Sequence, residues 1–199
     1  MADVSFCPAS FSLAYFMIDI SFLKRPLAIT DLEMTGLDVD THEIIEIGLV
    51  VVNQETLEIQ DELDIKVRPE HIQTADPEAL VVNGYREEDW RDAISQKEGF
   101  ERYIEKTNGA VFSAWNIAWD WNFLMRALKQ QGLKHTMDYH LIDLPSIAWA
   151  KLRGKGLEQM RLSALCRYFG IPEEPKEHRA INGARTAYEV LKKLLTYEG

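Results

Sequence analysis

The feature that most constrains this sequence is the apolar run Ile44–Val52 (IIEIGLVVV). Such a run, rich in β-branched residues and almost without polar alternation, is typical of a central strand that is covered on both faces. Residues 26–33 form a second apolar run that ends in acid, and residues 57–67 alternate loosely between apolar and polar. These patterns predict three neighbouring strands, so the fold must have helices to cover them.

The rest of the chain alternates between helical and strand patterns. Ser95 is predicted to cap a helix over 96–107, and residues 77–92 carry shorter helical signals. Short strands are predicted over 110–114 and near 140–143, and further helices over 118–131, 144–151, 161–169 and 180–197. Adjacent strands followed by alternating helices and strands indicate an α/β sheet with helices on both faces. The chain contains no linker composition or repeat, which favours one domain.

Charge and cysteine content narrow the function classes. The formal net charge of −10 is the wrong sign for a protein that coats nucleic acid through a broad basic surface. It is compatible with an enzyme that grips only the end of a strand, where bound cations offset its carboxylates. Cys7 and Cys166 provide neither a disulfide framework nor a metal-ligand spacing, which favours a reducing, cytoplasmic location.

Residues 1–26 precede the first predicted strand and form an N-terminal extension of unclear role. Residues 11–23 are apolar but too short to span a bilayer, and Asp19 interrupts them. No basic region precedes them, which argues against a secretory signal. Three interpretations stay open: an extra packing segment, a disordered tail, or upstream sequence included by the choice of start codon, since Met17 could itself begin a chain. No membrane function is predicted.

Asp31 and Glu33 are the first candidate site residues. Side chains two apart in a strand point to the same face, so these carboxylates converge. They end the first predicted strand, where open α/β sheets usually place ligands. Two such acids repel each other unless a cation or a shared proton intervenes, and their oxygens suit Mg²⁺ or Mn²⁺. Taken alone, however, the pair fits two solvated loop acids better.

The flanking residues resemble a known enzyme family. Residues 30–38 (TDLEMTGLD) and 44–48 (IIEIG) are similar to the first motif of the DEDDh-type 3′–5′ exonucleases, which include DnaQ-like proofreading exonucleases and oligoribonucleases. The octet that starts at Asp31 is especially similar to the oligoribonuclease version. The resemblance covers about residues 27–195. It implies an exonuclease domain over 27–197 with an RNase H-like mixed five-stranded sheet and helices on both faces.

The second family motif is matched by residues 116–120 (NIAWD), after the strand predicted over 110–114. An acid near a helix N-terminus is also what simple capping would produce. The resemblance implies instead that Asp120 helps to hold a metal pair, and that Asn116 contacts the substrate. Relatives often have His before the Asn, whereas this chain has Trp115. A Trp at that position fits either stacking on a base or a place in the core.

The third motif departs from its family. Residues 178–184 (HRAINGA) resemble the signature His-x-Ala-x-x-Asp-Ala, but Gly183 stands where the family has a metal-binding Asp. Glycine in a helix interior costs roughly 1 kcal/mol relative to alanine, and no turn signal accounts for it. The next acid, Glu189, is two turns away. We interpret Gly183 as an engineered or natural substitution in a once-complete site. Metal affinity is predicted to fall by more than about 10–100-fold, which is the usual effect of losing a residue that only hydrogen-bonds a metal ligand.

The resemblance implies a two-metal hydrolysis of the terminal phosphodiester. Asp31, Glu33 and the missing acid would hold one ion, and Asp31 would bridge to the second. His178 would deprotonate the attacking water, a task that suits an imidazole near neutral pH, although a lone His there would also fit an exposed helix entry. A 5′-mononucleotide would leave the 3′ end. The resemblance also places Met34, Thr35 and Gly36 against the terminal nucleotide.

Two alternatives stay open at this point. The first is a catalytically silent module that binds nucleic acid on the same fold, which Gly183 supports. The second is a proofreading-type subunit that acts only inside a polymerase complex. The octet favours short RNA as the substrate and the DnaQ-like remainder favours single-stranded DNA. No motif reports a contact to the 2′-OH that would decide between them.

Overall fold

The fold is described here from a computed structural model, which describes residues 21–175 and 177–198. Its five strands form one sheet in the order β3-β2-β1-β4-β5. The strands are β1 (Leu27–Met34), β2 (Ile44–Val52), β3 (Ile59–Lys66), β4 (Val111–Ala114) and β5 (Leu141–Asp143). The first three are antiparallel neighbours, while β4 runs parallel to β1 and β5 runs parallel to β4. The predicted mixed five-stranded sheet is confirmed.

The described helices also follow the sequence patterns. They are α1 (Pro77–Val82), α2 (Gln96–Lys106), α3 (Ile117–Gln130), α4 (Leu144–Leu152), α5 (Leu162–Phe169) and α6 (Ala180–Thr196), with 3₁₀ turns at Phe22–Lys24, Ile72–Thr74 and Glu87–Trp90. Ser95 caps α2 as predicted, because its side chain accepts a hydrogen bond from the Glu98 backbone N–H. Most of the N-terminal extension, residues 1–20, lies outside the described residues.

Two apolar layers cover the sheet because neighbouring side chains of a strand point to opposite faces. Ile29 of β1 packs with residues of α4, α5 and α6, whereas Ala28 packs with residues of α2 and α3. Every residue of β2 is buried, as predicted for a strand that is covered on both faces. No helix in the described part of the chain combines the length and apolarity that a membrane crossing requires.

The start of α6 lies directly on the middle of β2. A Cβ atom at Gly48 would lie 2.1 Å from the backbone carbonyl of Ala180, so only glycine permits this approach. Beside it, the buried Glu46 carboxylate accepts hydrogen bonds from the Arg179 Nε, at 3.0 Å, and from the Ala180 backbone N–H, at 3.3 Å. Glu46 also lies opposite Glu33 in the β1–β2 register. These contacts place the start of α6 next to the acids of β1.

Gly48→Ala should lower the free energy of unfolding by roughly 1–3 kcal/mol, because two backbones would have to separate. Gly99→Ala is the matched control: its Cβ would meet one methyl group of the Val67 side chain at 2.3 Å, whereas at Gly48 it would meet backbone atoms, which no rotamer change can move aside. That control also gains roughly 1 kcal/mol of helix propensity, so its loss should be clearly smaller. Urea unfolding of both variants measures the difference, and equal losses would contradict the proposed contact.

Candidate active site

A cavity of about 500 Å³ opens where the end of β1 meets the starts of α3 and α5 and the segment that leads into α6. It collects predicted residues from all three sequence motifs. The residues that line it include Asp31, Glu33, Asn116, Arg161, Glu174, His178, Gly183 and Thr186. The chain therefore concentrates acids, one histidine and one arginine at a single opening in the sheet edge.

Buried like charges dominate the electrostatics of this cavity. Burial, followed by the charges of Asp120 and Glu33, raises the pKa of Asp31 well above its ordinary value. Burial, followed by the charges of Glu46 and Glu174, raises the pKa of Glu33 to about 8. Burial also raises the pKa of Asp120 to about 7. These acids favour a shared proton or a cation over full ionisation side by side.

Asp120 lies behind the cavity wall, where α3 crosses β1. One of its carboxylate oxygens accepts a hydrogen bond from the Leu32 backbone N–H at 3.0 Å. The N-cap position of α3 is occupied by Asn116, four residues before Asp120, so the capping interpretation of Asp120 is wrong. Its carboxylate instead joins the helix to the strand between Asp31 and Glu33, and its charge raises the pKa of both acids.

Asn116 and Trp115 lead from β4 into α3 with different roles. Asn116 adopts a left-handed backbone conformation, with φ of 65°, and lines the cavity. Trp115 is buried in the apolar layer around α6, and its indole N–H donates to the Met160 carbonyl at 3.1 Å. Trp115 therefore has a place in the core, and it also lines the cavity, so its stacking on a base stays a prediction.

Gly183 has a local reason that the sequence did not reveal. A Cβ atom at this position would lie 2.2 Å from Oδ2 of Asp31. The Asp31 carboxylate therefore lies directly against α6, in the space that a side chain at position 183 would need. No turn signal in the sequence accounts for this glycine, and the structure supplies a reason: glycine leaves room for the acid of β1.

His178 and Glu174 come from the segment before α6. The backbone N–H of His178 donates to the Val82 carbonyl at 3.1 Å, while its side chain is exposed and lines the cavity. Glu174 was not predicted from the sequence. Burial raises the pKa of its carboxyl, and the nearby His178 opposes that rise. No pattern distinguishes it within residues 171–177 (IPEEPKE), which fit an ordinary acidic loop.

Met34, Thr35 and Gly36 lie beyond the acids, and none of them lines this cavity in the described structure. The Thr35 hydroxyl accepts a hydrogen bond from the Glu43 backbone N–H at 2.9 Å, and the Met34 carbonyl accepts one from the Asn83 side chain at 2.7 Å. These bonds fasten the connection from β1 to β2. Contact between these three residues and a nucleotide stays a prediction.

The donor set around the cavity fits hard divalent cations, because carboxylate oxygens dominate it. Within the described residues, no three of these acids bring ligand oxygens within 4.8 Å of one another. A pair of ions about 3.5–4 Å apart requires a wider spread of ligands than a single ion does. Glu43, Glu70 and His71 form a tighter group elsewhere. There, both Glu43 oxygens already accept hydrogen bonds from His71.

Known proteins resemble this chain in sequence. A family model described as "Exonuclease" matches residues 28–191. Ribonuclease T of Baumannia cicadellinicola subsp. Homalodisca coagulata is 26% identical over 181 residues, covering 84% of this chain and 82% of its own length. PolC-type DNA polymerase III of Caldanaerobacter subterraneus is 27% identical over 173 residues, covering 87% of this chain. This chain spans only 12% of that polymerase.

Solved structures agree on the fold. The nuclease domain of 3′hExo, a DEDDh family member bound to rAMP, has a TM-score of 0.71 at 20% identity and covers 86% of this chain and 92% of its own. E. coli exonuclease I in complex with a dT13 oligonucleotide has a TM-score of 0.72 at 14% identity, covering 86% and 41%. The family match extends over most of the chain, and all three motifs meet at one cavity. The chain therefore belongs to the exonuclease family.

Proposed function

We propose that this chain is a metal-dependent 3′–5′ exonuclease that releases 5′-mononucleotides from single-stranded DNA or RNA. The catalytic domain would comprise residues 27–197, and the cytoplasm would be its location. The observation that carries the proposal is the convergence of Asp31, Glu33, His178 and Glu174 on one cavity, with Asp120 behind it. Relatives named as ribonuclease T and as a PolC-type polymerase support both substrate classes.

Asp31, Glu33 and Asp120 would hold Mg²⁺ or Mn²⁺. When bound, such ions stabilise the charge on the attacking and leaving oxygens of an in-line displacement. The chain contributes rigid positions: Asp31 and Glu33 extend from one strand, and the hydrogen bond from Leu32 fixes the Asp120 carboxylate. Ligands that are held before substrate arrives need no rearrangement during the reaction.

His178 would take the proton of the attacking water at a ring nitrogen. Its side chain is exposed at the cavity, so it can pass that proton to solvent afterwards. Arg161 lies at the same opening, at the start of α5, and would contact a backbone phosphate.

The loss of the family acid at Gly183 would leave activity below that of a complete site. The PolC-type relative supports a second candidate, a proofreading-type subunit. Activity that arises only after co-purification with a polymerase would favour that candidate. A catalytically silent binding module remains the outcome to expect if 3′ ends bind but no tested variant turns over.

The stability of the chain should depend on pH when divalent ions are absent. The pKa values of Asp120 and Glu33 are raised to about 7 and about 8, so the folded chain holds protons that the unfolded chain releases. The free energy of unfolding should therefore be highest near pH 5 and fall as pH rises to about 8, which is the sign required for raised acid pKa values. Thermal unfolding with EDTA across this range measures the fall.

Saturating Mn²⁺ should raise the Tm at about pH 8, because an ion that binds only the folded state stabilises it. Asp31→Asn removes one of the repelling charges, so its Tm with EDTA should exceed that of the parent chain. The same variant should lose most of the rise with Mn²⁺. An equal Mn²⁺ effect on the parent chain and the variant would exclude Asp31 as a ligand.

His178→Ala should lower the rate of mononucleotide release by about 10²–10⁴-fold, the usual contribution of a general base. The rise of Tm with Mn²⁺ should persist, since His178 is not proposed as a ligand. His140→Ala is the control, because His140 is also exposed but pairs with Asp138 away from the cavity. Release from 5′-labelled DNA and RNA strands with Mn²⁺ provides the rates. Full activity of His178→Ala would remove the general-base assignment.

Gly183→Asp should raise turnover and Mn²⁺ affinity by about tenfold or more, because it restores the family acid. Gly183→Ala is the matched control: it displaces Asp31 in the same way but adds no carboxylate, so it should gain nothing. Calorimetric titration with Mn²⁺ and the release assay test both variants. If all three proteins bind a 3′-terminal strand and none cleaves it, the exonuclease proposal fails in favour of a silent binding module.

A further inference from the structure

We propose that Glu174 is a metal ligand that substitutes for the acid missing at Gly183. This inference rests on the proposed function, because it concerns the same ions. Glu174 lies in the segment that joins α5 to α6, four residues before His178. No sequence motif includes it, and the structure alone places it at the cavity.

Its position relative to α6 is the first argument. Gly183 and Thr186 are three residues apart, so they share one face of the helix, and both line the cavity. Burial raises the pKa of the Glu174 carboxyl, and the Thr186 hydroxyl, which lies near it, lowers that pKa by a smaller amount. Glu174 therefore lies over the helix face from which a side chain at position 183 would project.

The second argument is the state of the Glu174 carboxylate. Its Oε1 atom is buried and has no hydrogen-bond partner among the described residues. A buried acceptor left without a partner costs about 1–3 kcal/mol, and more when it is charged. The adjacent Glu173 differs, because Arg167 donates to its carboxylate at 2.9 Å. A cation in the cavity would satisfy the Glu174 oxygen, while Glu173 is already satisfied.

The third argument is steric. A side chain at position 183 and the present Asp31 carboxylate would compete for the same space, since a Cβ there would lie 2.2 Å from Oδ2 of Asp31. A ligand that enters from the segment before α6 avoids this conflict. The site then keeps four acids around the ions, namely Asp31, Glu33, Asp120 and Glu174. The number of carboxylates available to two divalent cations is therefore unchanged. One of them comes from the loop before α6 instead of from α6 itself.

The experiment is a double-mutant cycle between positions 174 and 183, read by calorimetric titration with Mn²⁺ and by mononucleotide release. Glu174→Gln keeps the shape of the side chain and removes its charge, and should weaken Mn²⁺ binding by about tenfold or more. The double variant with Gly183→Asp should recover most of that loss. Glu177→Gln is the charge-matched control: Glu177 is exposed on the same segment, so Mn²⁺ binding should stay unchanged.

Four outcomes decide the inference. Weakened Mn²⁺ binding by Glu174→Gln, rescued by Gly183→Asp, supports it. Unchanged Mn²⁺ binding by Glu174→Gln overturns it, and the exonuclease proposal stands if the parent chain still cleaves. Weakened binding that Gly183→Asp restores no better than Gly183→Ala does also overturns it, because both residues displace Asp31 and only the aspartate adds a carboxylate. If Mn²⁺ binding follows the expected cycle but no variant cleaves DNA or RNA, the ligand assignment holds and the exonuclease proposal fails.

Discussion

The contact between the start of α6 and the middle of β2 determines the geometry of the whole site. Gly48 lets the two backbones touch, and the buried Glu46 accepts hydrogen bonds from Arg179 and Ala180. Because Glu46 is paired with Glu33 across the sheet, the helix begins beside the acids of β1. The placement of His178 and Gly183 then follows from the chain direction. His178 immediately precedes the segment that contacts β2, and Gly183 lies at the end of the first turn of α6.

This arrangement forces carboxylates together where water is scarce. An ionised acid in an apolar setting is unfavourable, and each neighbouring acid makes it more so. The guanidinium of Arg179 pairs with Glu46 and opposes the rise in pKa that burial causes there. Burial and then the neighbouring acids raise the pKa values of Asp31 and Glu33, which form no ion pair among the described residues. Arg179 thus offsets the charge of Glu46 within the fold, whereas bound ions would offset the charges of Asp31 and Glu33 in the cavity.

The sequence predicted the sheet and its helices well because local patterns determine them. The apolar run Ile44–Val52 could only be a covered strand, and Ser95 marked the start of α2 correctly. The site was predicted only where motifs are contiguous. Glu46 carried a signal that went unused, an acid inside an apolar strand. Glu174 carried none, since its role depends on how a proline-containing loop folds back over α6, which no local pattern determines.

The proposed move of a ligand from α6 to the preceding loop has a physical consequence. A side chain on a helix is held by the helix itself, whereas one on a loop is held by fewer contacts and is positioned less accurately. Glu174 has a polar neighbour on the helix face that it covers, the Thr186 hydroxyl, which opposes the rise in the pKa of its carboxyl that burial causes. The loop also leads directly to His178, so ion binding at Glu174 would order the segment that carries the base. An acid at position 183 would be held by α6 itself. Here the ions themselves would complete the positioning, which couples the occupancy of the metal site to the placement of the base.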